Sequence, residues 1–176
     1  ELKEVIVRRT GLVPKMTGNE NTATKQKVNF FIDGQEEDNV GSEIGRKFGI
    51  SKESHLQNFN FFLSYNNFDT VTFRINIYGL KGGKPEKNLL TKNIIESIYN
   101  KQTGWFRVDL SQSELTVNSD IIISLKWIDH SQHGDLLSMS FTFPSIGATH
   151  YYKFGSQNKW KTFFSMSSCM NVELLN

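Results

Sequence analysis

The segment His130-Ser131-Gln132-His133 holds two imidazoles three residues apart, which can reach one ion from a bent loop, and Asp129 and Asp135 flank them as further ligands. No second Cys or His cluster of recognised spacing accompanies the pair, so a solvated polar hairpin tip is the competing reading. A second candidate is acidic. Gln35-Glu36-Glu37-Asp38-Asn39, followed by Glu43, gathers carboxylates at the entrance to a strand, and Asp38 and Glu43 would serve a structural calcium, which takes roughly six to eight oxygens. Their spacing matches no calcium-loop pattern, and an acidic loop is usually just solvated. No other cofactor is expected.

Nucleophilic chemistry needs a Ser or Cys held by a histidine base, and the histidines are His55, His130, His133 and His150, with no G-x-S-x-G turn. Cys169 lies in an apolar run with Met170, Val172 and Leu174, which reads as a packed thiol. Strand-borne carboxylates are few, mainly Glu43, Glu96, Asp109 and Glu173. Arg107 and Asp109, two apart, share a sheet face and read as a surface pair rather than a catalytic set. The chain is therefore expected not to be an enzyme.

Aromatic faces that stack on sugar rings are the remaining candidate chemistry. Trp105 and Trp127 fall in strongly apolar strands and are expected in the core or at its edge. His150, Tyr151, Tyr152 and Trp160 lie on two neighbouring strands joined by residues 155–159, so some of them must point outward in either register. A glycan site here would stack sugars on Tyr151, Tyr152 and Trp160, with the Asn158 amide orienting hydroxyls. Partial burial beneath a loop is the alternative.

The elements that would position these groups are strands. Alanine occurs only at Ala23 and Ala148 while Phe occurs 14 times in 176 residues, a composition that fits a pleated, half-buried surface better than a helix. Thr10 to Lys27 is polar, with Gly11, Pro14 and Gly18, and reads as a linker or long surface loop. From Val28 onward, short apolar or alternating runs recur between turn signals. Those runs span residues 28–33, 41–48, 56–65, 71–79, 89–98, 105–110, 120–128, 136–143, 149–154, 160–164 and 169–174. Phe59, Phe61, Leu63 and Tyr65 share one face by two-residue periodicity, as do Phe73, Ile75 and Ile77, and Leu137, Met139, Phe141 and Phe143. Residues 121–124 are apolar on both faces, which places that strand centrally in its sheet. Two facing antiparallel sheets bury these faces best, so the expected fold is all-β, a jelly-roll-like sandwich of the galactose-binding or carbohydrate-module kind.

Composition removes several functions. With 20 basic and 18 acidic residues the net charge is +2, which is no nucleic-acid footprint. No apolar run approaches the roughly 20 residues that cross a bilayer as a helix. The single cysteine forms no internal bridge, and a chain of this length can bury roughly 70% of its unfolded surface without one. Glu1 is not an initiator methionine and no signal-like opening follows it, so any targeting signal is expected upstream and removed.

The pattern also carries a resemblance. Leu2 to Arg9, LKEVIVRR, resembles the final strand of a carboxypeptidase-regulatory-like domain. GSEIGRKF, FNFFLSYNNFDTVTFRINIYGLKGGKPEKNLL, TGWFRVDL, SLKWI and YYKFGSQNKWK are similar to the C-terminal β-sandwich domain of Gram-negative envelope proteins that carry such a domain. The resemblance implies an exported protein, periplasmic or associated with the outer membrane. It also implies that residues 1–27 are a remnant strand and linker ahead of a sandwich over 28–176. It transfers no catalytic residue. The expected role is a non-catalytic envelope module that contacts a glycan or an envelope protein, with a purely structural accessory role as the alternative and a glycoside-active jelly roll as the third reading.

Overall fold

Phe59, Phe61 and Leu63 on one long strand and Phe73, Ile75 and Ile77 on the next are all buried, facing each other across the interior of two antiparallel sheets. The computed structural model describes residues 11–30 and 40–176. Leu2 to Arg9 and Gln35 to Asn39, including Asp38, lie outside the described residues.

The first sheet holds β1 (Pro14–Gly18), β2 (Lys27–Asn29), β4 (Ser54–Asn66), β8 (Gly104–Asp109), β9 (Thr116–Val117), β11 (Leu137–Thr142), β14 (Ser167–Ser168) and β15 (Met170–Leu175). The second holds β3 (Glu43–Phe48), β5 (Thr70–Lys81), β6 (Lys84–Asn88), β7 (Ile94–Tyr99), β10 (Ile121–His130), β12 (Thr149–Lys153) and β13 (Lys161–Phe164). The principal strands alternate between sheets along the chain: β3, β5, β10 and β12 in the second, β4, β8, β11 and β15 in the first. This winding is the jelly-roll-like sandwich expected from the sequence. Among the described residues no helix is long and apolar enough to cross a membrane.

The core is aromatic. Phe61 meets Phe73 edge-on at 5.8 Å between ring centroids, Phe30 meets Phe73 at 5.2 Å, and Phe68 meets Trp127 at 5.4 Å. Each such fully buried side chain contributes about 1.5–3 kcal/mol over its exposed form. β10 lies between β3 and β5, and Ile121 to Leu125 are buried on both of its faces, as a central strand requires.

Four sequence expectations are corrected. Tyr65 is exposed, because the β4–β11 register shifts between Ser138 and Met139 and leaves Ser64 as an extra residue; the bulge reverses side-chain parity, so Asn66 turns inward instead. Phe143 lies beyond the end of β11 and is exposed, with its N–H donating to Gln26 Oε1, while Phe141 is only partly buried. The stretch read as a linker contributes β1, which pairs along its whole length with β15. Of the strand expected over 89–98 only β7, from Ile94, is extended; residues 89–93 turn after β6, where Asn88 Oδ1 accepts from the Ile77 and Leu90 N–H groups.

Candidate functional site

β8 puts Phe106 and Val108 toward the interior, so two-residue periodicity turns Trp105, Arg107 and Asp109 outward. β4 likewise sends Asn58, Asn60 and Phe62 out opposite its buried Phe59, Phe61 and Leu63, and β15 sends out Asn171 and Glu173. Strand pairing aligns these residues in rows across the outer face of the first sheet. Asn171, Asn60 and Arg107 form one row, Glu173, Asn58 and Asp109 the next, and Phe62 pairs directly with Trp105. Successive rows lie about 7 Å apart, two residues along a strand.

Trp105 is 42% exposed and is steadied by Phe62, whose ring meets it edge-on at 5.6 Å. The polar rows beside it are held by hydrogen bonds. Asn60 Nδ2 donates to Asn171 Oδ1 at 2.6 Å, Asn58 Nδ2 donates to Glu173 Oε2 at 2.7 Å, and Arg107 Nη2 donates to the same oxygen at 3.2 Å. The Arg107 guanidinium and the Glu173 carboxylate thus offset each other's charge. At the end of β8 the Ser111 hydroxyl and N–H both donate to Asp109 Oδ1, at 2.6 and 2.8 Å, and hold the Asp109 carboxyl below its usual range. Asp109 also opens onto a cleft of about 530 Å³ between residues 90–94 and residues 112–114, within the size range of small-ligand sites. The face is a ring platform continued along β8 by Arg107 and an ionised carboxylate, with the Asn58 and Asn60 amides beside them on β4 and Asn171 buried at its edge on β15.

The aromatic residues singled out in the sequence lie elsewhere. Tyr152 points into the core and its hydroxyl donates to Asn29 O at 2.9 Å. Tyr151 points to the outer face of the second sheet, where it is buried, its hydroxyl donating to Gly83 O at 2.8 Å. β12 stands three strands from β5, so this bond shows the β5–β6 hairpin folded back across the sheet. Trp160 is half-buried there, its indole edge-on to both Tyr78 (5.7 Å) and Tyr151 (6.4 Å), with Lys153 Nζ 6.0 Å from its centre. Asn158 Nδ2 donates to Phe154 O and closes its own loop. The structure brings Tyr151 and Trp160 together, but it spends their faces on packing and leaves Tyr152 and Asn158 apart from them.

Glu43 belongs to the same packed layer. Its Oε1 accepts from Asn76 Nδ2 (2.7 Å), Ser124 Oγ (2.5 Å) and the Tyr78 hydroxyl (3.0 Å), and the residue is buried. Burial and the neighbouring Glu43 push the Tyr78 hydroxyl far above its ordinary range. Gly45 makes this close packing feasible, because a Cβ there would stand 3.0 Å from Ser124 Cβ. His130 packs against Phe68 and Trp127, with Nδ1 2.7 Å from Ser131 O, and His133 is exposed in the turn, its carbonyl accepting from Ser131 Oγ. Glu43 pairs with Lys126, at a distance of four residues along β10 from His130, so the structure does not assemble His130, His133 and Glu43. Among the described residues no group of three or more His, Cys, Asp or Glu is placed to hold a metal ion.

Trp105, expected in the core or at its edge, is 42% exposed. Its signal was in the sequence, because the parity that pairs Arg107 with Asp109 on one face also includes Trp105. The supporting residues Asn60 and Asn171 carry no such signal, since only strand pairing sets Asn60 beside β8 and Asn171 beside Asn60. A scan of the chain against protein-family models finds no match, and a search of curated proteins finds none either.

Proposed function

We propose that the chain is a non-catalytic, exported binding module of the bacterial cell envelope that captures neutral glycans on the outer face of its first sheet. The observation that carries this reading is Trp105, an exposed indole braced by Phe62 and followed along β8 by hydrogen-bonding groups at sugar-like spacing. Aromatic faces with a few oriented polar groups are the usual chemistry of carbohydrate capture. Arg107 is paired with Glu173 and also attracts Asp109, so the two carboxylates leave this part of the face with one net negative charge, which disfavours uronic or sulfated sugars. The resemblance of GSEIGRKF, TGWFRVDL and YYKFGSQNKWK to envelope proteins supports the compartment.

Several observations favour binding over hydrolysis. Asp109 and Glu173 stand two strands apart in one row, about 9.5 Å between backbones, a spacing compatible with an inverting pair, so their chemistry decides. A glycosidase acid needs a raised pKa, whereas that of Asp109 is lowered, and Glu173 is tied to Asn58 and Arg107. Ser168 and His150 do touch, but inside the sandwich, where burial lowers the His150 pKa to about 3 and raises the Cys169 thiol to about 12. Neither group is then suited to act near neutral pH. An array of neutral and acidic oligosaccharides tests the proposal: neutral sugars bind, and Trp105→Ala abolishes capture without unfolding the protein. An array with no neutral ligand overturns it, and release of reducing ends replaces binding with hydrolysis.

A further inference from the structure

The cleft at the end of β8 has fixed walls and carries side chains that the fold itself leaves unused. One wall is residues 90–94, pinned where the Leu90 N–H donates to Asn88 Oδ1 at 3.1 Å. The other is the turn Ser111–Ser113 with Glu114 after it. There the Ser113 N–H and hydroxyl donate to Leu110 O at 3.0 and 2.6 Å, and the Glu114 N–H donates to Ser111 O at 3.1 Å. Both walls are set before a ligand arrives, which spares the cost of ordering them on binding. Leu90 and Ile94, packed partly against the core, supply the apolar part of the lining. Asn93 on one wall and Gln112 on the other are exposed, and among the described residues neither carboxamide has a hydrogen-bond partner. A carboxamide offers donors and an acceptor together, as a sugar hydroxyl requires, while Leu90 and Ile94 suit the C–H face of a pyranose ring. Asp109 and Glu114 against Lys92 leave the lining with one net negative charge, which disfavours an anionic ligand.

Asp109 belongs both to this lining and to the outward residues of β8 that begin at Trp105, so the cleft and the ring platform are parts of one surface. Four residues of extended strand separate Trp105 from Asp109, a distance of about 14 Å. Among the described strands β8 pairs only with β4, which leaves its other side free. Arg107, the outward residue midway, leans across β4 to Glu173 rather than over that free side. A monosaccharide or disaccharide stacked on Trp105 therefore ends short of the cleft, whereas a longer linear chain reaches it.

We infer that the cleft is a distal subsite of the Trp105 glycan face, and the subsite rests on that reading of Trp105. The face then selects linear neutral oligosaccharides long enough to reach from Trp105 to Asn93 and Gln112, over monosaccharides and disaccharides. Isothermal titration with the disaccharide, tetrasaccharide and hexasaccharide of β-1,4-linked glucose, mannose and N-acetylglucosamine tests it. In at least one series affinity should rise at least about tenfold between disaccharide and hexasaccharide, the worth of one or two added hydrogen bonds. Asn93→Ala with Gln112→Ala should remove that rise, while Trp105→Ala should abolish binding at every length. In a proton–nitrogen spectrum the Asn93 and Gln112 side-chain amide signals should move with the hexasaccharide and stay fixed with the disaccharide. Both residues are exposed, and unchanged thermal unfolding confirms that the variant folds. Binding of equal strength at every length, or a rise that survives both substitutions, overturns the subsite and leaves the Trp105 platform standing. Failure of every length in every series to bind overturns the platform itself, and the subsite with it.

Discussion

His150 is the group through which acid should most directly loosen this fold. It points into the sandwich from β12, with Nδ1 2.5 Å from Ser168 Oγ and with the Phe163 and Tyr152 rings at 5.7 and 6.4 Å. Burial disfavours its charged form and lowers its pKa from 6.5 to about 3. The unfolded chain therefore binds a proton below about pH 6.5 that the folded chain refuses until about pH 3, so stability is full above this window and declines as pH falls through it. Each unit of pH within the window is worth about 1.4 kcal/mol, so from about pH 7.5 to about pH 4.5 the loss from this one group is about 2–3 kcal/mol. His150→Gln keeps a hydrogen-bonding partner for Ser168 but cannot titrate. Urea unfolding of both proteins at the two pH values isolates the effect, since every other carboxylate and histidine is common to them. The gap in unfolding free energy between wild type and variant should shrink or reverse by that amount at the lower pH. A gap that stays constant refutes the reasoning, because it would mean that the folded protein protonates His150 as readily as the unfolded chain.

The packed outer layer of the second sheet gives three further expectations, and Gly49, beyond the end of β3, gives a fourth. Glu43→Ala leaves the buried Asn76 and Ser124 donors without their acceptor and should lower unfolding free energy by about 3 kcal/mol in chemical denaturation, with Glu43→Gln losing less. Tyr151→Phe removes the bond to Gly83 O, which should cost about 1 kcal/mol and speed hydrogen exchange at the β5–β6 tip while the core strands stay protected. Gly45→Val forces atoms against Ser124 Cβ and Ile122 Cγ2, 3.0 and 3.1 Å from the new Cβ, and should destabilise by about 1–3 kcal/mol. Gly49→Ala, whose nearest neighbour is Asp120 Oδ1 at 3.8 Å, should change the melting temperature little.

The sandwich was legible wherever alternation ran without interruption. Phe59, Phe61 and Leu63, and Phe73, Ile75 and Ile77, face the core as their periodicity requires, because one dry face leaves no freedom of register. Legibility stopped at bulges: one extra residue at Ser64 turned Tyr65 outward, and no residue type announces it. Adjacent Tyr151 and Tyr152 had to face opposite ways. What hides Tyr151 is a hairpin from three strands away, a long-range fact invisible to local pattern. Glu43 shows the same limit from the other side. Read beside Asp38 as part of an acidic loop, it is a buried acceptor for residues of β5 and β10, which lie far along the chain. Trp105 could have been placed outside from its parity with Arg107 and Asp109, but its apolar character outweighed its position.

The most direct test of the glycan-binding face uses the three indole N–H signals in a proton–nitrogen correlation spectrum, recorded while neutral oligosaccharides are titrated into the protein. Trp127 is buried with its Nε1 donating to Asp129 O at 3.1 Å, and Trp160 is packed between two tyrosines, so each reports a region away from the platform. With at least one neutral sugar the Trp105 signal should move in a saturable way while the other two stay fixed. A Trp105 signal that no sugar moves, or a saturable shift at Trp160 instead, contradicts the account.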